Sequence, residues 1–219
     1  MGPVTSGIVF AEPLHPAEIR VLGALLEKEV TTPEYYPLTL NALVNACNQK
    51  SSRDPVVNYS EDVVQQALAL LRHKGLAVRI SGAGHRVEKY GHSLGERLNL
   101  GRRESAVLCV LMLRGPQTAG ELRGRTERMY EFTEIADVEH SLESLAQRTP
   151  EPLVAAMPRG RWGHLLGGAP DLTQPIPQEA AEPQGPSPQV AGLERRVAEL
   201  EREVAELKQT LESFRRQFE

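Results

Sequence analysis

An internal duplication constrains the fold of this chain more than any other feature. Residues 14–26 (LHPAEIRVLGALL) share a pattern with residues 100–112 (LGRRESAVLCVLM): a Leu, a Glu four positions later, and then paired apolar residues. Three further matches follow in the same order: Pro37-x-Thr39 with Pro116-x-Thr118, Asp62-Val63 with Asp137-Val138, and Tyr90-Gly91-His92 with Trp162-Gly163-His164. Four matches in one order indicate a tandem repeat, so each copy is expected to build the same small fold.

Each copy has the pattern of three helices followed by two short β-type runs. Apolar residues at helical spacing predict a first helix over 17–29 and over 103–114. The second helix is predicted to start at Thr39 and at Thr118, where Thr118 and Glu121 form a capping box. The third is predicted to start near Ser60, and near Ala136 or Asp137. The β-type runs are 76–80 and 86–90 in copy one, and 153–157 and 161–166 in copy two, with glycine-containing turns between them.

This order of elements is the plan of a winged helix, in which helices two and three form a helix-turn-helix and the hairpin is the wing. The predicted fold class is therefore mainly α with small β-hairpins (α+β). The predicted organisation is a winged-helix domain at 14–95, a second at 100–168, a disordered linker at 169–189 and a coiled-coil helix at 190–219. The linker assignment depends on its density of Pro, Gly, Gln and Ala.

Four blocks of the sequence resemble a known family. These blocks are LLEKEVTTPEYYPLTLNALVNACNQKSSRDPV, VVQQALALL, HRVEKYGH and LCVLMLRGPQTAGELRGRTERMY, and they are similar to the YceH-type family of uncharacterised bacterial proteins. The resemblance covers roughly residues 14–167. It implies tandem winged helices, and it implies no established reaction, ligand or catalytic residue.

The C-terminal region carries a heptad pattern. Its apolar residues are spaced alternately by three and four: Val190, Leu193, Val197, Leu200, Val204, Leu207, Leu211, Phe214 and Phe218. Mostly Val at a and Leu at d favours a parallel two-stranded coiled coil, and Arg196 would then face Glu201 of the other strand. The pattern predicts a homodimer. A trimer, or a helix that folds back onto its own core, are the alternatives.

Charge is uneven along the chain and points to one region of copy one. The net charge is −4, but residues 72–103 hold eight basic residues and two acidic ones. Such a basic segment favours contact with nucleic acid. Double-stranded DNA is therefore the expected partner of copy one, through these residues: Lys50, Arg53, Gln65, Gln66, Arg72, Arg79, Arg86 and Lys89.

The third helix is where the two copies are predicted to differ. In copy one, burial of Val63, Ala67, Leu70 and Leu71 would turn Asp62, Gln65, Ala69 and Arg72 outward. In copy two the outward positions are Asp137, His140, Ser144 and Gln147, with four glutamates nearby: Glu131, Glu134, Glu139 and Glu143. That surface repels phosphate, so copy two is expected to bind a protein partner. In the alternative hypothesis the whole chain is a protein-interaction scaffold that does not contact DNA.

Several other classes of function are not expected. Cys47 and Cys109 both lie among apolar helix residues, so we expect no disulfide and a cytoplasmic protein. No apolar run has membrane-spanning length, and no signal peptide, metal-ligand motif or phosphate-binding glycine loop is present. The six histidines are scattered, and the repeated pair His92 and His164 is interpreted as structural. The chain is predicted to be neither an enzyme nor a cofactor-binding protein.

Overall fold

A computed structural model describes residues 12–80, 87–168 and residue 202. The chain divides after Leu172 into two units, and the described residues other than 202 belong to the first. The predicted linker and coiled coil at 169–189 and 190–219 lie outside the described residues, except for residue 202. No helix in the described part is long and apolar enough to cross a bilayer.

Both copies share one order of elements, which is helix, strand, helix, helix, strand and strand. Copy one contains α1 (Pro16–Thr31), β1 (Leu38–Thr39), α2 (Leu40–Cys47), α3 (Glu61–His73), β2 (Ala77–Ile80) and β3 (Lys89–His92), and a short α4 (Leu94–Leu98) follows. Copy two contains α5 (Arg102–Arg114), β4 (Gln117–Thr118), α6 (Ala119–Thr126), α7 (Ile135–Ala146), β5 (Val154–Met157) and β6 (Arg161–His164). Short 3-10 turns occupy Pro33–Tyr35 and Pro158–Gly160. The fold is mixed α+β, and the duplication has the same element order in each half.

Capping hydrogen bonds are found at the residues where the sequence predicts helices two and three to start. The Thr39 hydroxyl accepts the Ala42 N–H at 3.3 Å, and the Ser60 hydroxyl accepts the Val63 N–H at 3.4 Å. Thr118 and Glu121 form the predicted capping box, each accepting the other's backbone N–H. These starts are specified by residues within one turn, which is why the sequence suffices to place them.

Two small antiparallel sheets have equivalent strand orders, β1-β3-β2 and β4-β6-β5. The repeated Gly-His pair has a packing explanation on the central strands. A Cβ on Gly91 would lie 3.0 Å from the Tyr36 hydroxyl, and one on Gly163 would lie 2.6 Å from the Met157 sulfur. A side chain thus crosses the strand closely at both glycines, although the flexible end of Met157 could move aside at Gly163.

The two copies pack against each other through their first helices, α1 and α5. Every residue from Ala17 to Glu27 is buried, as is every residue from Ala106 to Leu113, so neither helix keeps a solvent face over these stretches. Gly23 and Cys109 occupy equivalent positions, and the Cys109 thiol lies 3.4 Å from the Gly23 carbonyl oxygen. Contact between equivalent positions is what a local two-fold axis produces.

Helix α3 presents the predicted outward residues but packs through a different set. Asp62, Gln65, Ala69 and Arg72 are exposed, as predicted. The buried residues are Val64, Ala67, Leu68 and Leu71. Val63 is partly buried and packs against the core, whereas Leu70 is 49% exposed, so the prediction that Leu70 is buried was wrong. The sequence offers apolar residues at both sets of positions, and only packing against α1 and α2 selects between them.

Candidate functional site

The exposed face of α3 carries most of the predicted DNA-binding residues of copy one. Gln65, Gln66 and Arg72 are exposed on this helix, and Lys50 is exposed on the segment that precedes it. Both acidic residues of α3, Glu61 and Asp62, lie in its first turn. Beyond that turn the helix surface is uncharged or basic.

The residues of the predicted wing are less available for DNA contact than the sequence suggests. Arg79 is exposed, but its guanidinium lies 2.6 Å from the Glu88 carboxylate. Lys89 is only half-exposed on β3. Arg86 lies outside the described residues. An anion that approached β2 would therefore compete with Glu88 for Arg79.

Arg53 is buried, which corrects its assignment as a phosphate contact. Its side chain is 0% exposed and its Nη2 lies 2.6 Å from Glu27 Oε2. Nε and Nη2 both donate to the Ala46 carbonyl, at 3.1 and 2.8 Å. Burial alone would raise the pKa of the Glu27 carboxyl, but the Arg53 guanidinium holds it below its ordinary value. With its donors directed into the protein, Arg53 cannot reach a phosphate.

A second buried arginine, Arg20, holds the segment that contains Arg53, residues 45–55 (NACNQKSSRDP), against α1. Arg20 on α1 donates to the Cys47 carbonyl at 3.3 Å and to the Pro55 carbonyl at 2.6 Å. Arg20 and Arg53 thus attach the end of α2 and the Pro55 region of the α2–α3 connection to the core. Burial raises the pKa of the Cys47 thiol to about 12, so this cysteine is an unreactive core residue.

Helix α7 of copy two presents an acidic surface at the equivalent place. Glu139, His140 and Glu143 are exposed. Arg103 lies 3.8 Å from Asp137 and offsets little of this charge, because the pair is solvent-exposed. The copies therefore differ in the charge of their third helices, as the sequence predicts.

A cavity of about 320 Å³ lies between α1, α4 and α5. Its apolar wall is formed by five residues: Leu26, Val30, Leu100, Ala106 and Met129. Its polar wall contains Glu29, His92, Ser93, Glu96, Arg102 and Ser105. A concave surface that combines an apolar wall with a few converging polar groups has the general character of a small-molecule site.

His92 is the most constrained polar group in this cavity. Its side chain is 4% exposed, and its Nδ1 accepts the Leu94 N–H at 3.2 Å, which leaves the proton of the neutral ring on Nε2. Nε2 lies 3.0 Å from Glu29 Oε2 but lacks the alignment of a hydrogen bond, so this buried nitrogen has no hydrogen-bond partner. Burial lowers the pKa of His92, against the opposing effect of Glu29, and the ring is neutral at neutral pH.

His92 and His164 are equivalent in the repeat, and the sequence suggests that both are structural. Their surroundings differ, because only His92 lies beside a carboxylate within the described residues. His164 faces no carboxylate within ion-pair distance in the described residues, and burial lowers its pKa to about 4. Gly115 occupies the position in copy two that Glu29 occupies in copy one. Glu29 and His92 are far apart in sequence, so the only local signal was this departure from the repeat.

Residues 14–161 match the family described as "Protein of unknown function, DUF480". The chain belongs to the DUF480 family. Curated relatives named "UPF0502 protein" align with it closely. The one from Opitutus terrae is 56% identical over 173 residues, covering 75% of each chain. The one from Solibacter usitatus is 54% identical over 214 residues, and the one from Geobacter sulfurreducens is 51% identical over 219. Each of these two alignments covers 94% of this chain and 98% of the relative.

Membership of the DUF480 family confirms the resemblance to uncharacterised bacterial proteins. The matched segment begins at the same residue as the resemblance and ends six residues earlier, at 161 rather than 167. Neither family description names a reaction, a ligand or a partner. The function must therefore be argued from the surfaces and the cavity of this chain.

Proposed function

We propose that this DUF480 protein is a non-enzymatic, cytoplasmic protein that binds double-stranded DNA through copy one. In this proposal each copy is a winged helix. The order of elements supports it, because a helix, a strand, two further helices and a hairpin paired to the first strand is the plan of that fold. α3 is then the helix that enters the major groove, and β2 and β3 form the wing beside it.

The observation that carries this proposal is the exposed face of α3. Gln65, Gln66 and Arg72 offer amide and guanidinium groups that match the acceptors and donors of base edges in the major groove. Lys50 adds a positive charge just before this helix, where a phosphate contact would position it on the duplex. The acidic α7 makes the equivalent surface of copy two unsuitable, so binding is assigned to one copy only.

Charge reversal on this face tests the proposal. Binding of a fluorescent duplex, measured by anisotropy over a range of salt concentrations, is expected to weaken at least tenfold in the variant K50E/R72E. The slope of log affinity against log salt should fall in magnitude by about 1, because Lys50 is the proposed phosphate contact, whereas Arg72 is proposed to read base edges. The control R128E/R159E makes the same change in net charge on exposed residues of copy two. Equal affinities for the two variants would place any DNA contact elsewhere.

A second candidate function is protein binding by the same copy. Four large apolar side chains are exposed on or beside α3 and the wing: Leu70 at 49%, Val78 at 41%, Ile80 at 40% and Val87 at 59%. Exposed apolar groups in one region are typical of protein interfaces. In this case a partner retained by the full chain after nuclease treatment would be lost with I80E and kept with K50E/R72E. The DNA hypothesis predicts that nuclease removes whatever is retained.

Homodimerisation through residues 190–219 completes the proposal. Its support is the heptad spacing from Val190 to Phe218. Light scattering is expected to give a dimeric mass for the full chain and a monomeric mass after deletion of 190–219. A further control, L200D/L207D, introduces charge at two d positions and should have the effect of the deletion. A monomeric full chain, or a dimer that survives the deletion, contradicts this part of the proposal.

A further inference from the structure

The cavity between α1, α4 and α5 contains groups that the DNA-binding proposal does not use. Its volume of about 320 Å³ corresponds to about ten water molecules at roughly 30 Å³ each, which suits an organic molecule of a similar number of non-hydrogen atoms. Five apolar residues, from α1, the α4–α5 connection, α5 and the Met129 segment, cover one wall. This wall favours an uncharged aliphatic or aromatic group over a polar one.

The opposite wall carries a negative site. Glu29 and Glu96 both line the cavity, and neither carboxylate has a hydrogen bond or ion pair to a lysine or arginine within the described residues. Glu29 is 45% exposed, and its ion-pair contact within the described residues is with the His92 ring, at 3.0 Å. The buried Nε2 of His92 also lines this wall, and it has no hydrogen-bond partner within the described residues. Two uncompensated carboxylates favour a cationic group such as an ammonium ion.

A positive site lies on the same cavity at the start of α5. Arg102 is the first residue of that helix and is exposed. Its guanidinium has no hydrogen bond or ion pair with another residue in the described part of the chain. A guanidinium at a helix N-terminus favours a carboxylate through its paired donors and through the helix dipole. The cavity therefore combines a cation site, an anion site and an apolar wall.

We propose that this cavity binds a small zwitterion with an apolar body, of the class of the free apolar α-amino acids. The ammonium group lies between Glu29 and Glu96, the carboxylate meets Arg102, and the side chain packs on Leu26 and Met129. This site does not depend on DNA binding, and it is specific to copy one because Gly115 replaces the glutamate in copy two.

Isothermal titration of the full chain with three related probes tests the proposal. Leucine carries both charged groups, isopentylamine lacks the carboxylate and isocaproate lacks the ammonium group. Leucine is expected to bind at least tenfold more tightly than either analogue, since each analogue lacks one of the two charge-assisted interactions. The variants E29Q and R102Q are each expected to weaken leucine binding by tenfold or more. The controls E131Q and R128Q remove the same charges from exposed positions outside the cavity and should leave binding unchanged.

The outcomes separate the proposal from its alternatives. An analogue that binds as tightly as leucine shows that the zwitterion is not what the cavity recognises. If no binding heat is seen up to about 10 mM leucine, the binding free energy is weaker than about 3 kcal/mol. That result overturns the proposed site altogether. R102Q is the decisive variant if E29Q loses stability, because Arg102 is exposed and makes no contact that folding requires. Unchanged leucine affinity in R102Q also overturns the proposal.

Discussion

Replacement of Arg53 by alanine is expected to lower the free energy of unfolding by about 3–5 kcal/mol. The substitution leaves the Glu27 carboxylate buried without its guanidinium partner, and it removes both donors to the Ala46 carbonyl. A buried charge that loses its partner costs several times more than an exposed one, because water cannot replace the lost interaction. Urea denaturation of the two proteins measures the difference.

Arg79 provides the matched control for this result. Its guanidinium also lies 2.6 Å from a carboxylate, that of Glu88, but both side chains are about half-exposed. R79A is therefore expected to cost about 0–1 kcal/mol. The double variant E27A/R53A should lose less than the sum of the two single variants, since neither charge remains unpaired. If R53A costs no more than R79A, Arg53 is not the buried anchor described above and returns to the list of candidate phosphate contacts.

Replacement of Gly23 by leucine is expected to lower the free energy of unfolding by about 3 kcal/mol or more. A Cβ at this position would lie 2.9 Å from Leu113 Cδ2 and 3.2 Å from Met112 Cβ, so the larger side chain has no space between α1 and α5. The gain in helix propensity, about 1 kcal/mol, is too small to offset this overlap. Thermal or urea unfolding of the full chain measures the loss.

Gly124 is the control for Gly23 because it is also a glycine inside a helix. It is exposed on α6, and nothing lies within 4 Å of where its Cβ would be. G124L is expected to raise the free energy of unfolding by about 0.5–1 kcal/mol through helix propensity alone. The same substitution should thus have opposite signs at the two glycines. A loss at Gly124 as large as that at Gly23 would mean that close packing of α1 on α5 is not the cause.

Some features of this fold are readable from the sequence because their causes are local. Thr39, Ser60 and Thr118 cap helices through bonds to residues three positions away. The repeat then extends the interpretation from one copy to the other. The outward positions of α3 follow from its period of 3.6 residues.

Other features depend on partners that are distant in the chain. Arg53 looks like a surface cation beside Lys50 until the fold brings Glu27 to it. Leu70 has the same residue type as Leu68, and only the position of α1 decides which of them is buried. The cavity escapes detection for the same reason, because Glu29, His92 and Arg102 come from three separate segments.

The packing of α1 on α5 has a further consequence for how the two copies diverged. Each first helix is buried between its own copy and the first helix of the other, so the duplication amounts to a dimer whose subunits are joined covalently and assemble at any protein concentration. Only the shared interface, where Gly23 meets Cys109, must stay complementary to itself. The surfaces outside this interface need not be alike in the two copies. The two copies can therefore differ in the charge of their third helices and in Glu29 against Gly115, as two identical subunits could not.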